Sequence, residues 1–254
     1  MSHNDLLDEV VTIARAAAEE VLEVYRSGCS VQQKEDGSPV TEADHRSQAI
    51  ICSRLSKLVP ELPIVAEEGR GCDEDSSAAG SFWLVDPLDG TKEFVSRNGE
   101  FTINIALIES EVPVLGVILA PALGRLFAAT AGTAYVEDDA GRRDLAARAT
   151  PVDGATVVSS RSHGDPEALA ELIAGRTVQR SLTAGSSLKF CLVAAGEADL
   201  YPRFGRTMEW DTAAGDAILR IAGGQVTDLD GRPLRYGKPG FENPAFIARG
   251  LEGQ

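Results

Sequence analysis

The stretch Phe82-Trp83-Leu84-Val85-Asp86-Pro87-Leu88-Asp89-Gly90-Thr91 constrains this chain more than any other. Phe82 to Val85 is an apolar run without a polar break, which predicts a buried strand that delivers Asp86 to the point where it ends. Pro87 fixes its own φ and pushes the residue before it into extended geometry, so Asp86 and Asp89 can turn toward one point. At about 4 Å two carboxylates repel by roughly 1 kcal/mol in water and about 4 kcal/mol at an intermediate dielectric. A fold that brings them together therefore calls for a cation between them, and a hard divalent ion is the natural guest. Gly90-Thr91 then opens a helix, whose free N–H groups and dipole attract an anion such as phosphate. Read alone, Asp86 to Gly90 is better taken as a plain turn, since Asp, Pro and Gly are turn residues. The spacing of a Ca²⁺ loop is not met.

A chain of 254 residues can bury a substantial core, as one large domain or two tightly joined halves. Cys29, Cys52, Cys72 and Cys191 stand far apart with no C-x-x-C spacing, so neither a zinc site nor a disulfide framework is indicated. That suits a reducing cytosol, and a cytoplasmic protein is expected. Met1 to Asp8 carries no basic region followed by an apolar one, and no stretch reaches the roughly 18 apolar residues of a membrane span. A formal charge of −15 argues against nucleic-acid polymers and anionic membranes as partners. It leaves room for a small anionic substrate, because bound metal ions reverse the local field.

Leu7, Val10, Val11, Ala14, Ala17, Ala18, Val21, Val24 and Tyr25 recur at helical spacing, with Gly28 as the stop. A polar segment with Lys34, Glu35 and Asp36 leads to a turn at Gly37-Ser38-Pro39. Thr41-Glu42-Ala43-Asp44 has the spacing of a capping box, with Ile50, Ile51, Leu55 and Leu58 as the helix's buried face; locally, Asp44 reads as a cap. Pro63 to Ala66 predicts a short strand ending in Glu67-Glu68-Gly69, where one of the two acids is expected to be solvated surface. Gly71 to Gly80 is a polar loop. A β-meander follows over 102–108, 112–119, 126–129 and 134–136. After about Thr150 strands and helices alternate: strands at 156–159, 177–182 and 199–204, helices at 166–174, 186–195 and 211–222. Gly185-Ser186-Ser187-Leu188-Lys189 opens one of those helices with hydroxyls, amides and a lysine, which suits a phosphate or an N-cap alike. Asp211 opens another, where the plain reading is an N-cap.

Taken together, Glu67-Glu68-Gly69, Asp86-Pro87-Leu88-Asp89-Gly90-Thr91 and Trp210-Asp211-Thr212-Ala213-Ala214-Gly215 resemble the signature of the inositol monophosphatase superfamily of Mg²⁺-dependent, lithium-sensitive phosphatases. Lys92-Glu93-Phe94, Arg97 to Thr102 and Ser186 to Phe190 look most like its 3′(2′),5′-bisphosphate nucleotidase branch. The resemblance implies a layered α-β-α-β-α sandwich of the sugar-phosphatase type, with an antiparallel-sheet half at 1–150, an α/β half at 151–254, and the active site between them. It implies two or three Mg²⁺ ions, held by Glu67, Asp86, Asp89, Asp211 and the carbonyl of Leu88. It pairs Thr91 with Asp44 to orient the attacking water, against the local reading of Asp44 as a cap, and makes Glu67 part of the same catalytic group. Glu67, Leu88, Asp89, Gly90, Thr91 and Asp211 would also meet the substrate phosphate. Ser186, Lys189 and Arg203 match the positions that contact the nucleotide.

Tyr201-Pro202-Arg203-Phe204 stands where inositol monophosphatases carry a Glu, and an Arg suits a second phosphate. The implied reaction is removal of the 3′-phosphate of 3′-phosphoadenosine 5′-phosphate, giving AMP and phosphate, as in clearing the by-product of sulfate assimilation. An inositol- or fructose-phosphate phosphatase is the alternative within the class, and a non-catalytic metal- or nucleotide-binding regulator the alternative outside it. A homodimer is compatible with the sequence.

Overall fold

The structure, a computed structural model, describes residues 2–28, 30–34, 37, 39–69, 80–161, 166–175 and 177–251. Cys29, Cys72, Glu35, Asp36, Ser38 and the loop over 71–79 lie outside the described residues, while Cys52 and Cys191 are free thiols.

Alternation along the strands sorts side chains into separate cores. In β4 (Ser81–Asp89), Phe82 and Leu84 point to one side of the sheet and Trp83 and Val85 to the other; in β5 (Thr102–Glu109), Ala106 and Ile108 part from Ile103, Ile105 and Leu107 in the same way. These strands belong to a seven-stranded sheet ordered β3-β4-β5-β6-β7-β8-β9, with β3 at Ile64–Ala66, β6 at Val112–Ala120, β7 at Arg125–Thr130, β8 at Thr133–Asp138 and β9 at Gly141–Asp144. All its pairings are antiparallel except β3 with β4. The outer face is covered by α1 (His3–Ser27) and α2 (Glu42–Leu58), with a small hairpin of β1 (Val31–Gln33) and β2 (Pro39–Thr41) between them in the chain. α1 ends at Gly28, whose φ of 83° only glycine takes cheaply.

The inner face packs against α5 (Leu188–Ala194) and α6 (Glu209–Ile221), which in turn rest on a five-stranded sheet ordered β11-β10-β12-β16-β14. Its strands are β10 (Ala155–Ser160), β11 (Val178–Ala184), β12 (Leu200–Arg203), β14 (Gln225–Asp228) and β16 (Phe246–Arg249). Leu169 and Leu172 of α4 (Pro166–Leu172) cover its far face. The layers thus run helix, sheet, helix, sheet, helix, as expected. Only β11, β10 and β12 are parallel; β16 and β14 run antiparallel to their neighbours and were not anticipated, nor were β9 and the short pair of β13 (Thr207–Met208) with β15 (Glu242–Asn243).

α6 lies unusually close to both neighbours. A Cβ at Gly116 of β6 would strike the carbonyl of Ala214 and sit 2.9 Å from Ala217 Cβ, and one at Gly215 would sit 2.5 Å from the Phe190 ring of α5. The small residues Ala213, Ala214 and Gly215 after Asp211 are therefore packing residues that seat the helix.

Candidate active site

The strand run does not end at Val85, as expected, but continues through Pro87 to Asp89. Asp86 pairs with Asn104 and Asp89 with Thr102, so three steps along β4 oppose two along β5, and one extra residue bulges at Pro87-Leu88. Without it, Asp86 and Asp89 would point to opposite faces. With it, both project from the inner face, the side of Asn104 and α6. The bulge is held from both sides: the Leu88 amide donates to Asp86 Oδ1 (3.0 Å) and Ser47 Oγ of α2 donates to the Pro87 carbonyl (2.7 Å). Pro87 sits where a missing N–H costs the ladder nothing.

The parallel neighbour β3 brings Glu67 alongside, its amide donating to the carbonyl of Val85 (3.2 Å). Lys34 Nζ binds Glu67 Oε1 at 2.8 Å and Glu68 Oε1 at 2.5 Å. Neither acid is the solvated surface group expected of one of them: the Glu68 side chain is 7% exposed and that of Glu67 28%. The single positive charge of Lys34 is shared between the two acids.

Asp44 combines the two roles between which the sequence left a choice. Its Oδ2 accepts from the amide (2.8 Å) and hydroxyl (2.7 Å) of Thr41, completing the capping box of α2, while Oδ1 faces Thr91 Oγ1 at 3.4 Å. Thr91 Oγ1 is also 3.4 Å from the carbonyl of Leu88. Thr91 opens α3 (Thr91–Val95), a helix of only five residues, after Gly90 in the left-handed region (φ 88°). Asp211 follows the same logic as Asp44 from the other half: it is the third residue of α6, with Oδ2 accepting the Met208 amide at 2.8 Å.

Ser187 joins the halves, and sequence reasoning missed it. Its amide donates to Asp89 Oδ2 (2.7 Å), and its hydroxyl lies 2.8 Å from the same oxygen and 2.6 Å from the Asp211 carbonyl, able to donate to one at a time. Asn104 Nδ2 donates to Ser187 Oγ at 2.9 Å. A lone amide inside the apolar run Thr102 to Ile108 was the available signal for Asn104; Ser187 stood in plain view as a helix cap, yet makes no capping bond to its own helix. Lys189, expected to reach a phosphate, directs Nζ to the carbonyls of Ser186 (2.5 Å) and Ala184 (3.3 Å). Arg203 Nη2 donates to the carbonyl of Arg206 at 3.1 Å.

Glu67, Asp89, Gly90, Thr91, Ser186, Lys189, Arg203 and Asp211 line one cleft of about 660 Å³ between the two sheets. Asp44, Asp86 and Leu88 lie buried and are not among its lining residues, each 1% exposed. Burial pushes the Asp86 carboxyl well above its ordinary range, and Glu67, Asp89 and Asp211 push it further. Burial and then Asp89 push Asp211 up to about 8. Glu67 is raised by burial against the pull of Lys34, and Asp44 by burial against the bonds from Thr41. Burial pushes Lys189 down to about 8.

Carboxylates that raise one another's affinity for protons are carboxylates short of cations. Four acids and a peptide carbonyl form a hard-oxygen donor set that fits a divalent ion such as Mg²⁺. Among the described residues no three His, Cys, Asp or Glu side chains already converge as a cage, with Glu67 turned onto Lys34 and Asp89 onto Ser187. The groups must shift or be completed by water and substrate oxygens, the usual habit of Mg²⁺ sites.

Comparison with known proteins bears on the chain as a whole. The description of the inositol monophosphatase family matches residues 3–251. The 3′(2′),5′-bisphosphate nucleotidase CysQ of Escherichia coli (strain K12) is 45% identical over 245 residues, covering 95% of this chain and 98% of that protein. The protein of the same name from Buchnera aphidicola is 41% identical over 251 residues, covering 97% and 94%. Among solved structures, CysQ from Bacteroides thetaiotaomicron superposes with a TM-score of 0.82 at 36% identity over 99% of both chains. An inositol monophosphatase from Anabaena superposes with a TM-score of 0.79 at 26% identity, covering 98% and 91%.

Proposed function

The chain belongs to the inositol monophosphatase family, and we propose that within it the protein is a Mg²⁺-dependent 3′(2′),5′-bisphosphate nucleotidase that converts 3′-phosphoadenosine 5′-phosphate to AMP and phosphate. The observation that carries the reading is the near full-length identity to proteins bearing that name. The acid cluster supports it with the donor set a metal-dependent phosphatase needs.

In this reading Glu67, Asp86, Asp89, Asp211 and the carbonyl of Leu88 hold two or three ions. When bound, the ions supply a hydroxide nucleophile near neutral pH and stabilise the leaving oxygen. Thr91 and Asp44 form the proton path: Asp44 Oδ1 accepts from Thr91 Oγ1, which frees the threonine's lone pairs to orient a water. Gly90 is required by the packing of this turn, since its φ of 88° is left-handed and a Cβ there would meet Glu100 O, Glu93 Oε2 and Ser186 Cβ at 3.3 Å. Ser186 and Arg203 serve the phosphate that is not cleaved. The first half of the chain, to about Thr150, supplies most of the metal ligands, and the second supplies Asp211 and the substrate contacts. A cytoplasmic enzyme and a homodimer remain part of the proposal, and among the described residues no helix is long and apolar enough to cross a membrane.

The test is kcat/KM measured with and without Mg²⁺ for 3′-phosphoadenosine 5′-phosphate, inositol 1-phosphate and fructose 1,6-bisphosphate. The bisphosphate nucleotide should lead, with no turnover in chelator. A higher value for either sugar phosphate would replace the substrate, and metal-independent silence toward all three would make the protein a binding regulator.

A further inference from the structure

An amide side chain buried in an apolar strand is unfavourable, and Asn104 of β5 is such a group, 1% exposed between the buried Ile103 and Ile105. Its Oδ1 has no hydrogen-bond partner among the described residues. An orphaned carbonyl argues against burial, so the other end of the amide must explain it. Nδ2 donates to Ser187 Oγ at 2.9 Å and stands 3.4 Å from Asp89 Oδ2. A carboxylate only accepts, so the end of the amide that faces Asp89 is the NH₂. The directions of the next bonds follow. Ser187 Oγ takes the bond from Asn104 on a lone pair, which leaves its one proton to donate, to Asp89 Oδ2 at 2.8 Å or to the Asp211 carbonyl at 2.6 Å. The Ser187 amide donates to the same Oδ2 at 2.7 Å. Among the described residues, every hydrogen bond to the Asp89 carboxylate therefore goes to Oδ2, and Oδ1 takes none. Asp89 and Ser187 line the cleft, whereas Asn104 does not.

We propose that Asn104 is a positioning residue for Asp89: its amide fixes the direction of the Ser187 hydroxyl, and Ser187 in turn holds Oδ2 of Asp89 so that Oδ1 is the oxygen left for a divalent ion. Asn104 acts through Ser187 and touches neither ion nor substrate. The ion as partner of Asp89 rests on the phosphatase reading; the link from Asn104 to Ser187 does not.

Two double-mutant cycles, neither dependent on turnover, test the two parts separately. In titration calorimetry with Mg²⁺, Asn104→Leu, which keeps the volume and removes the donor, and Ser187→Ala should each weaken binding about tenfold or more, the usual effect of losing a group that orients a metal ligand. The double variant should lose no more than the worse single. Asn104→Asp keeps the shape without the donor and should lose at least as much as Asn104→Leu. Mg²⁺ affinity within about twofold of the parent's in Asn104→Leu, with only Tm lowered, would make Asn104 a packing residue and overturn the proposal. Multiplying losses would mean that Asn104 acts apart from Ser187, and would overturn it too. In chelator, the Tm change of the double variant should differ from the sum of the singles by about 2 °C or more, and additive changes would overturn the link. If the parent itself binds no Mg²⁺, the metal-dependent reading falls while the cycle in chelator still decides the link from Asn104 to Ser187. Should Asn104→Leu fail to fold, Asn104→Ala runs both cycles.

Discussion

A carboxylate has two oxygens, and here they are divided between folding and chemistry. Asp44 and Asp211 each spend Oδ2 on the backbone that starts a helix, and Asp89 spends Oδ2 on Ser187. An Asn in place of Asp211 keeps an oxygen for the Met208 amide while removing charge. Asp211→Asn should therefore fold, raise the Tm of the metal-free protein by relieving repulsion, and lower turnover by at least about a hundredfold, read by calorimetry and phosphate release. A variant with parental activity would remove Asp211 from the ligand set. Thr91→Ala should leave metal affinity, measured by titration calorimetry, near the parent's while kcat falls, because the threonine faces Asp44 and lines the cleft. Unchanged kcat would leave Thr91 a helix-start residue only. Arg203→Ala should cost the bisphosphate nucleotide about ten- to two-hundred-fold in kcat/KM, the worth of a charge-assisted hydrogen bond, and barely touch a monophosphate. Large equal losses for both would assign Arg203 to the scissile phosphate or to the fold.

At the scale of elements the site depends on how deeply α6 is seated. Gly215→Ala forces a methyl to within 2.5 Å of the Phe190 ring, so the helix that carries Asp211 must move. Overpacking of this kind costs about 1–3 kcal/mol, which denaturant titration would read, and activity should fall with it. A silent substitution would show the α5–α6 contact to be soft. Elements built on local periodicity were legible in the sequence: α1 from its apolar stripe, the meander from alternation, the start of α2 from Thr41 and Asp44. What was hidden is pairwise and distant. The bulge at Pro87-Leu88 is a property of register between β4 and β5, and no spacing within β4 reveals it. Ser187 reads as an N-cap until Asp89, 98 positions earlier, is brought against it. Likewise the polar stretch around Lys34 gave no hint that this ammonium would sit on Glu67 and Glu68.

For the whole molecule, the acid cluster links stability to pH. Asp86, Glu67 and Asp211 all hold protons more tightly when folded than the unfolded carboxylate value of about 4, so the folded state binds more protons and stability must fall as pH rises. The metal-free protein should be more stable at pH 5 than at pH 8, where Asp211, with its value of about 8, is losing its proton. Saturating Mg²⁺ should flatten or reverse the slope, as seen by Tm across that window with and without chelator. A metal-free Tm that rises from pH 5 to 8 would refute it. The inner face of the large sheet bears on a different event, synthesis. Phe82, Leu84, Ile108, Ile118 and Phe127 are covered in the finished protein by helices that the ribosome makes last, α5 and α6. Until then the nascent chain carries a completed apolar wall with nothing against it, and next to it the acids of β4 wait for Asp211. That wall can be covered only after residues 188–221 have left the ribosome, so the fold closes late in synthesis.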